Sequence, residues 1–294
     1  VPDSTPEIAL AKFPALRQGI FQRLELKAKS DNAPLFWKVE KGELPIGMSF
    51  NDGGVLEGTP GRAGNYEVTL AVTDGDSSGP ETTTKTFNFT VAPAGKDVFF
   101  ARRVDWKPEP NGKLDEREKW QFTTPVSKVL TGAINDAAPM IDVVYDNESL
   151  YVAVMVKDKN LVGQGWSLGE KDDQVIIYFD GKNNREAVYN WDDLRFNVNA
   201  NGGKKDIRGG WWAYANVGKV DGGYLVESRV NWSATGQMLR GDNRDWLSVG
   251  VDVHVLDVDA ENGEILSRVA WHGTAKNDTD PSGYRTVIMR PDAP

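Results

Sequence analysis

The sequence predicts an all-β protein made of two antiparallel β-sandwiches, a small one followed by a larger one. Three observations carry the prediction. From Ile20 onward the apolar residues fall in short runs that either alternate with polar residues or are richly β-branched, the patterns of half-buried and fully buried strands. Clusters of Gly, Asn, Asp and Pro separate those runs, which is the chemistry of turns. Helical periodicity is scarce, and many strands without helical crossovers must pair antiparallel and bury their faces sheet against sheet.

With 294 residues the chain is long enough for two cores. The proline-containing stretch 92–96 reads as a short, semi-rigid linker, giving predicted domains of residues 1–94 and 95–294.

Residues 1–20, with Pro2, Pro6 and Pro14, read as an extended lead-in and a first strand. The runs FQRLELKA, LFWKVE, NYEVTLAVTD and KTFNFTVA follow as strands. Tyr66, Val68, Leu70 and Val72 share one face of the third, and Phe87, Phe89 and Val91 one face of the fourth, because successive strand side chains point to opposite sides. Pro45 and Gly47 close one tight corner and Gly58, Thr59 and Pro60 another, since glycine opens positive φ and proline fixes it. WKVEKGELPIGMSF and GVLEGTPGRAGNYEVTLAVTD together resemble the bacterial immunoglobulin-like (cadherin-like) domains over roughly residues 7–93. That resemblance implies a small immunoglobulin-like sandwich serving as a spacer, with Tyr66 anchoring a corner from the next strand. Asp74 and Asp76 in DGDSSGP then have two readings, a calcium site as in some cadherin-like relatives or a solvated hairpin turn; turn chemistry favours the second.

The larger half is organised around residues 141–180. Runs 141–145 and 150–156 flank the turn-forming DNES, a hairpin signal. A loop with Trp166 follows, then the apolar run 175–179, bracketed by Asp172, Asp173 and Asp180, which reads as a central strand. LRFNVN, WWAYANV, GYLVESRV, WLSVGVDVHVLDV, EILSRVAW and YRTVIM continue as strands, and GKLDEREKW (112–120) is predicted as a short helical turn. Adjacent Trp211 and Trp212 point to opposite faces of a strand, so an outward Trp212 with Tyr214 forms a flat platform for sugar rings or a protein partner, unless a neighbouring loop covers it. DVDAENGE (257–264) reads as a hairpin turn, its glycine falling one place late for an EF-hand loop.

LYVAVMVKD, DQVIIYFD and GYLVESRVNW, followed by VAWHG and DPSGYRTVIM, resemble carbohydrate-binding module family 9 and its relatives over about residues 98–292. The resemblance implies a jelly-roll-like antiparallel β-sandwich with structural calcium. For sugar-binding members it implies a site of two tryptophans, a glutamate and an arginine. Matched by position, Trp166 takes the first tryptophan's place and Asp278 stands near the second's. Ile176 replaces the glutamate and Asn197 the arginine. With three of four contacts replaced, the family's terminal-sugar mode is not expected to be retained, while the fold can still bind glycan elsewhere. For calcium, Asp180, Asn183, Asp192 and Asp193 lie in the segment that matches the family's calcium-bearing one, with Asp158 and Asp172 as further contributors. Oxygen-rich loops suit a hard cation, and ordinary turn carboxylates are the alternative. Some relatives bind haem through Met and His or Lys, which draws attention to Met155 and His254. The alternation in VDVHVLDV, however, places His254 with Asp252 on the outward face.

Composition narrows the partners. A net charge of −9 argues against nucleic acid and anionic membrane. No apolar run approaches the ~18 residues of a spanning helix. Absence of cysteine excludes disulfides and thiolate chemistry, and two histidines leave little scope for multi-histidine metal catalysis. Neither a GxSxG elbow nor a phosphate loop is present. The first residue is Val1 rather than Met, which fits a processed product. The sequence thus points to a secreted or cell-surface, bacterial, non-catalytic protein: a glycan-binding sandwich on an immunoglobulin-like spacer, with polysaccharide or oligosaccharide as partner. The alternative is a structural or adhesive subunit of a surface layer, filament or larger complex. Its partners would be other surface proteins or an upstream domain of the same precursor.

Overall fold

A computed structural model describes residues 5–76, 79–134, 137–163, 171–208, 213–236, 243–258 and 262–293, with the backbone alone for 204–208. Two compact units emerge, Val1–Val98 with Trp246–Ser248, and Phe99–Asp245 with Val249–Pro294. The first holds strands β1 (Glu7–Ile8), β2 (Leu16–Arg17), β3 (Gln22–Glu25), β4 (Ala28–Lys29), β5 (Leu35–Gly42), β6 (Met48–Phe50), β7 (Val55–Gly58), β8 (Gly64–Asp74) and β9 (Thr82–Ala92). The second is built from β10 (Val98–Arg103), β11 (Thr124–Pro125), β12 (Lys128–Gly132), β13 (Ala138–Tyr145), β14 (Ser149–Lys157), β15 (Gln174–Asp180) and β16 (Asp193–Asn199). It continues with β17 (Lys204–Arg208), β18 (Ala213–Val220), β19 (Gly223–Asn231), β20 (Ser248–Val258), β21 (Ile265–Ala270) and β22 (Arg285–Arg290). Both units are all-β, as predicted.

In the first unit a sheet ordered β2-β9-β8-β5 accompanies a sheet ordered β3-β7-β6 and the pair β1-β4. The alternation in β8 and β9 does its work there: Val68, Leu70, Val72, Phe87, Phe89 and Val91 are buried with Trp37 and Leu56. Phe13 stacks on Phe89 with ring centroids 4.7 Å apart. The Tyr66 hydroxyl donates to the Arg62 carbonyl at 2.9 Å, tying the corner to the next strand. Gly47 and Gly58 adopt φ of 87° and 132°, and a Cβ on either would collide with the backbone oxygen of Thr59 or Gly47. One expectation needs correction. Asp74 is buried rather than solvated, because its Oδ1 turns inward to accept the Glu81 N–H at 2.9 Å.

The second unit's strands form one hydrogen-bonded path, β17-β16-β15-β20-β22-β10-β13-β14-β19-β18, with β11 on β13, β21 on β20 and β12 on β21. β14, β15, β19 and β20 are buried almost throughout, on both faces, so that polar members such as Glu227, Asp252 and His254 are enclosed along with the apolar ones. The β13–β14 hairpin closes on Asp146, whose Oδ1 accepts the N–H groups of Glu148 and Ser149 at 2.7 and 2.8 Å. β15 is central, antiparallel to β16 on one side and β20 on the other.

Two further predictions fail here. Residues 112–120 form no helix, only a turn closed by Glu118 N–H on the Asp115 carbonyl at 2.9 Å. The segment instead docks on Glu227 of β19. That carboxylate accepts Asn111 N–H and Gly112 N–H at 3.1 and 2.8 Å and Trp120 Nε1–H at 3.0 Å. His254, expected to face outward, is fully buried, because both faces of β20 are covered. Met155 sits on β14, separated from β20 in the strand path by β22, β10 and β13.

Candidate functional site

Register assembles one polar face from four strands. Ile176 of β15 lies opposite Asn197 of β16 and His254 of β20; Tyr178 lies opposite Arg195 and Asp252. Across the next pair, Leu256 faces Arg268 and His254 faces Ala270 of β21. Opposed residues of an antiparallel pair project to the same side, so all these side chains meet.

At their centre the Tyr178 hydroxyl donates to Asp278 Oδ1 at 2.6 Å and accepts from Arg268 Nη2 at 2.9 Å. Arg268 Nη2 also reaches Asp278 Oδ2 at 3.0 Å, and Arg195 Nη2 reaches Asp278 Oδ1 at 3.2 Å. Arg268 Nε donates to His254 Nδ1 at 3.0 Å, which leaves the proton of the neutral imidazole on Nε2, 3.4 Å from Asp252 Oδ2. Burial, with the nearby guanidinium, holds the His254 pKa below its usual value. Burial pushes Asp278 upward, but the Tyr178 hydroxyl and the two arginines outweigh it and keep the carboxyl below its ordinary range. Beneath lies an apolar floor of Ile176, Tyr178, Leu256 and Tyr284, with Tyr189 packed against it. The Tyr189 hydroxyl donates to the Asn277 carbonyl at 2.8 Å, joining the 184–192 loop to the Asp278 turn.

Two of the predicted ligand residues, Asp278 and Tyr214, can be placed among the described residues. Asp278 belongs to this face, about a third exposed. Tyr214 is half exposed on β18, at the opposite end of the strand path from β17. Trp166 and Trp212 lie outside the described residues. Ile176 is buried in the apolar floor, and Asn197 donates from Nδ2 to Gln174 Oε1 at 2.9 Å. The arginines of the face are Arg195 and Arg268 instead. Arg195 was legible, because it stands two residues before Asn197 and so on the same side of the strand. Trp191 was also overlooked. It is 68% exposed, with the Lys182 ammonium 4.6 Å from its ring centroid and its edge against Gly236, whose φ is 62°.

Two buried carboxylate clusters flank β15. At its C-terminal end Asp180, Asn183, Asp192 and Asp193 are all buried. Asp180 accepts the N–H groups of Asn184 and Arg185, Asp192 that of Lys182 and Asp193 that of Asn190. Asp192 Oδ1 and Asp193 Oδ1 have no hydrogen-bond partner among the described residues. Burial and mutual repulsion push Asp180 up to about 6 and Asp193 up to about 7.

At the other end, carboxylate oxygens of Asp158, Asp173 and Asp257 lie within 4.8 Å of one another, all buried. Among the described residues no other group of three His, Cys, Asp or Glu converges so closely. Asp173 accepts the Val162 and Val258 N–H groups, yet burial, with both neighbouring carboxylates, pushes it up to about 7. The fully buried Tyr224 hydroxyl, whose field includes all three carboxylates, has no hydrogen-bond partner among the described residues. Oxygen-only donors, excess negative charge and oxygens left unsatisfied are what a hard divalent cation would complete, so both clusters fit calcium. β20 pairs antiparallel with β21 on either side of the predicted 257–264 turn, of which 259–261 lie outside the described residues, and Asp257 at its start belongs to this cluster.

A model of the family described as carbohydrate family 9 binding domain-like matches residues 111–290, and a model of Ig domains matches residues 21–92. An endo-1,4-β-xylanase A of Thermotoga neapolitana is 27% identical over 188 residues, 62% of this chain and 17% of that protein. The exoglucanase XynX of Acetivibrio thermocellus is 25% identical over 227 residues, 75% of this chain and 20% of that protein. The chain thus spans about a fifth or less of the length of these curated relatives. A family 9 carbohydrate-binding module from Caldicellulosiruptor kristjanssonii, solved with cellotriose, superposes with a TM-score of 0.55 at 20% identity. That match covers 67% of this chain and 95% of that one.

Proposed function

The chain belongs to the carbohydrate family 9 binding domain-like family, and on that premise we propose that it binds glycan non-catalytically on the β16-β15-β20-β21 face. One observation carries the assignment: charged and hydroxyl groups converge on the partly exposed Asp278 above an aromatic and aliphatic floor. Sugars need fixed polar groups for their hydroxyls, which the partly exposed Arg195, Arg268 and Asp278 supply. They also need apolar surface for their C–H faces, which the buried floor leaves to exposed aromatic side chains. Trp191 and Tyr214, with Trp166 and Trp212, are the aromatic candidates for stacking. The relatives named for xylan and glucan chemistry share only a small part of their length with this chain, which supports binding rather than cleavage. Polymers of that kind lie outside cells, so we place the protein there, with calcium at the two carboxylate clusters and the Ig-like unit as spacer.

Titration calorimetry with cellotriose, together with affinity gels of β-glucan and xylan, tests this. The intact chain is expected to bind, and Asp278→Ala to weaken cellotriose at least about tenfold by removing the acceptor for sugar hydroxyls. Failure of every glycan to bind or retard the intact chain would remove the assignment.

A further inference from the structure

Charge on the candidate face is unbalanced. Two guanidiniums, Arg195 and Arg268, share one carboxylate, Asp278, and His254 between them is neutral. Asp252, the other acid of the face, is fully buried, so the excess is one of the solvent-exposed groups and not of the whole face. It accepts the N–H groups of Val253, His272 and Gly273 and Nδ2–H of Asn277. The excess extends to the β12 edge. There Lys128 lies opposite Ala270, its Nζ donating to the His272 carbonyl at 2.7 Å. In a chain of net charge −9, this local concentration of positive charge runs against the whole.

Donors are also in surplus. Arg268 bonds through Nε and Nη2 only, and Arg195 pairs through Nη2 only, so among the described residues Nη1 of each is without a partner. Both side chains are partly open to solvent, at 17% and 18%. A guanidinium with a free edge grips a carboxylate through two parallel N–H bonds. Ile176, buried and apolar, adds no acceptor to the face.

We propose that this face takes an acidic saccharide, a glycan bearing a uronate carboxylate, which Arg195 and Arg268 receive beside Asp278. The proposal rests on the glycan-binding reading above and names its ligand class. Asp278 holds the two guanidiniums at a fixed separation without neutralising both.

The test is a matched pair titrated into the intact chain: cellotriose and the β-1,4-linked triglucuronate, which differ only in oxidation at C6. The triglucuronate is expected to bind at least about tenfold tighter, with the advantage shrinking as salt rises. Arg195→Gln should bring the affinity ratio toward one. Asp278→Ala should widen it, because that variant loses an acceptor for the neutral ligand and a competitor for the acidic one. Circular dichroism confirms that each variant is folded. If Arg195→Gln does not fold, Arg195→Lys keeps the charge without the fork and is expected to give an intermediate ratio. Cellotriose binding as tightly as triglucuronate, or a ratio unmoved in the folded Arg195 variant, overturns this inference and leaves glycan binding intact. Binding of neither trimer, with no glycan gel retarding the chain, overturns both.

Discussion

Single residues decide what the strand pattern leaves open, and Glu227 shows how. Buried on β19, it is pushed up to about 7 by desolvation and by the Glu118 carboxylate. The folded chain therefore keeps a proton that the unfolded chain releases near 4.5. Through that window each rise in pH favours unfolding; the penalty is absent below it and complete above about 7. Glu227→Gln keeps an acceptor for Asn111 and Gly112 and removes the titration. Its stability gain over the parent should be near zero at acid pH and reach on the order of 3 kcal/mol above neutrality, read from denaturant midpoints across the pH range. A gain independent of pH would assign the effect to packing. The glutamate in GYLVESRV was visible in the sequence, but its partners lie more than a hundred residues earlier, and no local pattern joins them. His254 failed for a related reason. Alternation reports which residues share a face, not whether that face meets water, and Tyr178, Arg268 and the 271–284 segment cover this one.

At the scale of elements, hairpins were legible and their ends were not. The strands of 141–156 and the central 175–179 run appear where turn residues and β-branching place them. The Asp158, Asp173 and Asp257 cluster was legible only in part: the sequence offers Asp158 for calcium and Asp173 as a strand bracket, but the three lie at the ends of different strands and nothing local joins them. If calcium occupies the clusters, chelator should lower the thermal midpoint of the larger unit and added calcium restore it. Asp173→Asn, which removes one charged ligand at nearly constant volume, should blunt that response. An identical midpoint with and without chelator would leave these carboxylates a purely structural group.

At the scale of the whole molecule, both carboxylate clusters belong to the larger unit and none of their members to the smaller. Calcium should therefore slow amide exchange in β14, β15 and β20 while leaving β8 and β9 unchanged, as hydrogen-exchange mass spectrometry can read. Protection spreading equally through both units would show that the two are coupled. The order of the two sandwiches was legible, since each rests on its own run of strands and turns. The ligand face was not, because it depends on side chains drawn together from β15, β16, β20 and β21 by register alone.

The Asp158–Asp173–Asp257 cluster also has a meaning in time. Asp158 and Asp173 are close in the chain, but Val258, which donates to Asp173, is 85 residues further on. Contacts so distant form late, after the loops between them have closed. A cation can meet its third carboxylate only once β20 has docked on β15. Capture of the ion would thus be a closing event of folding, and a luminescent lanthanide added during refolding would mark the moment at which the sandwich is complete.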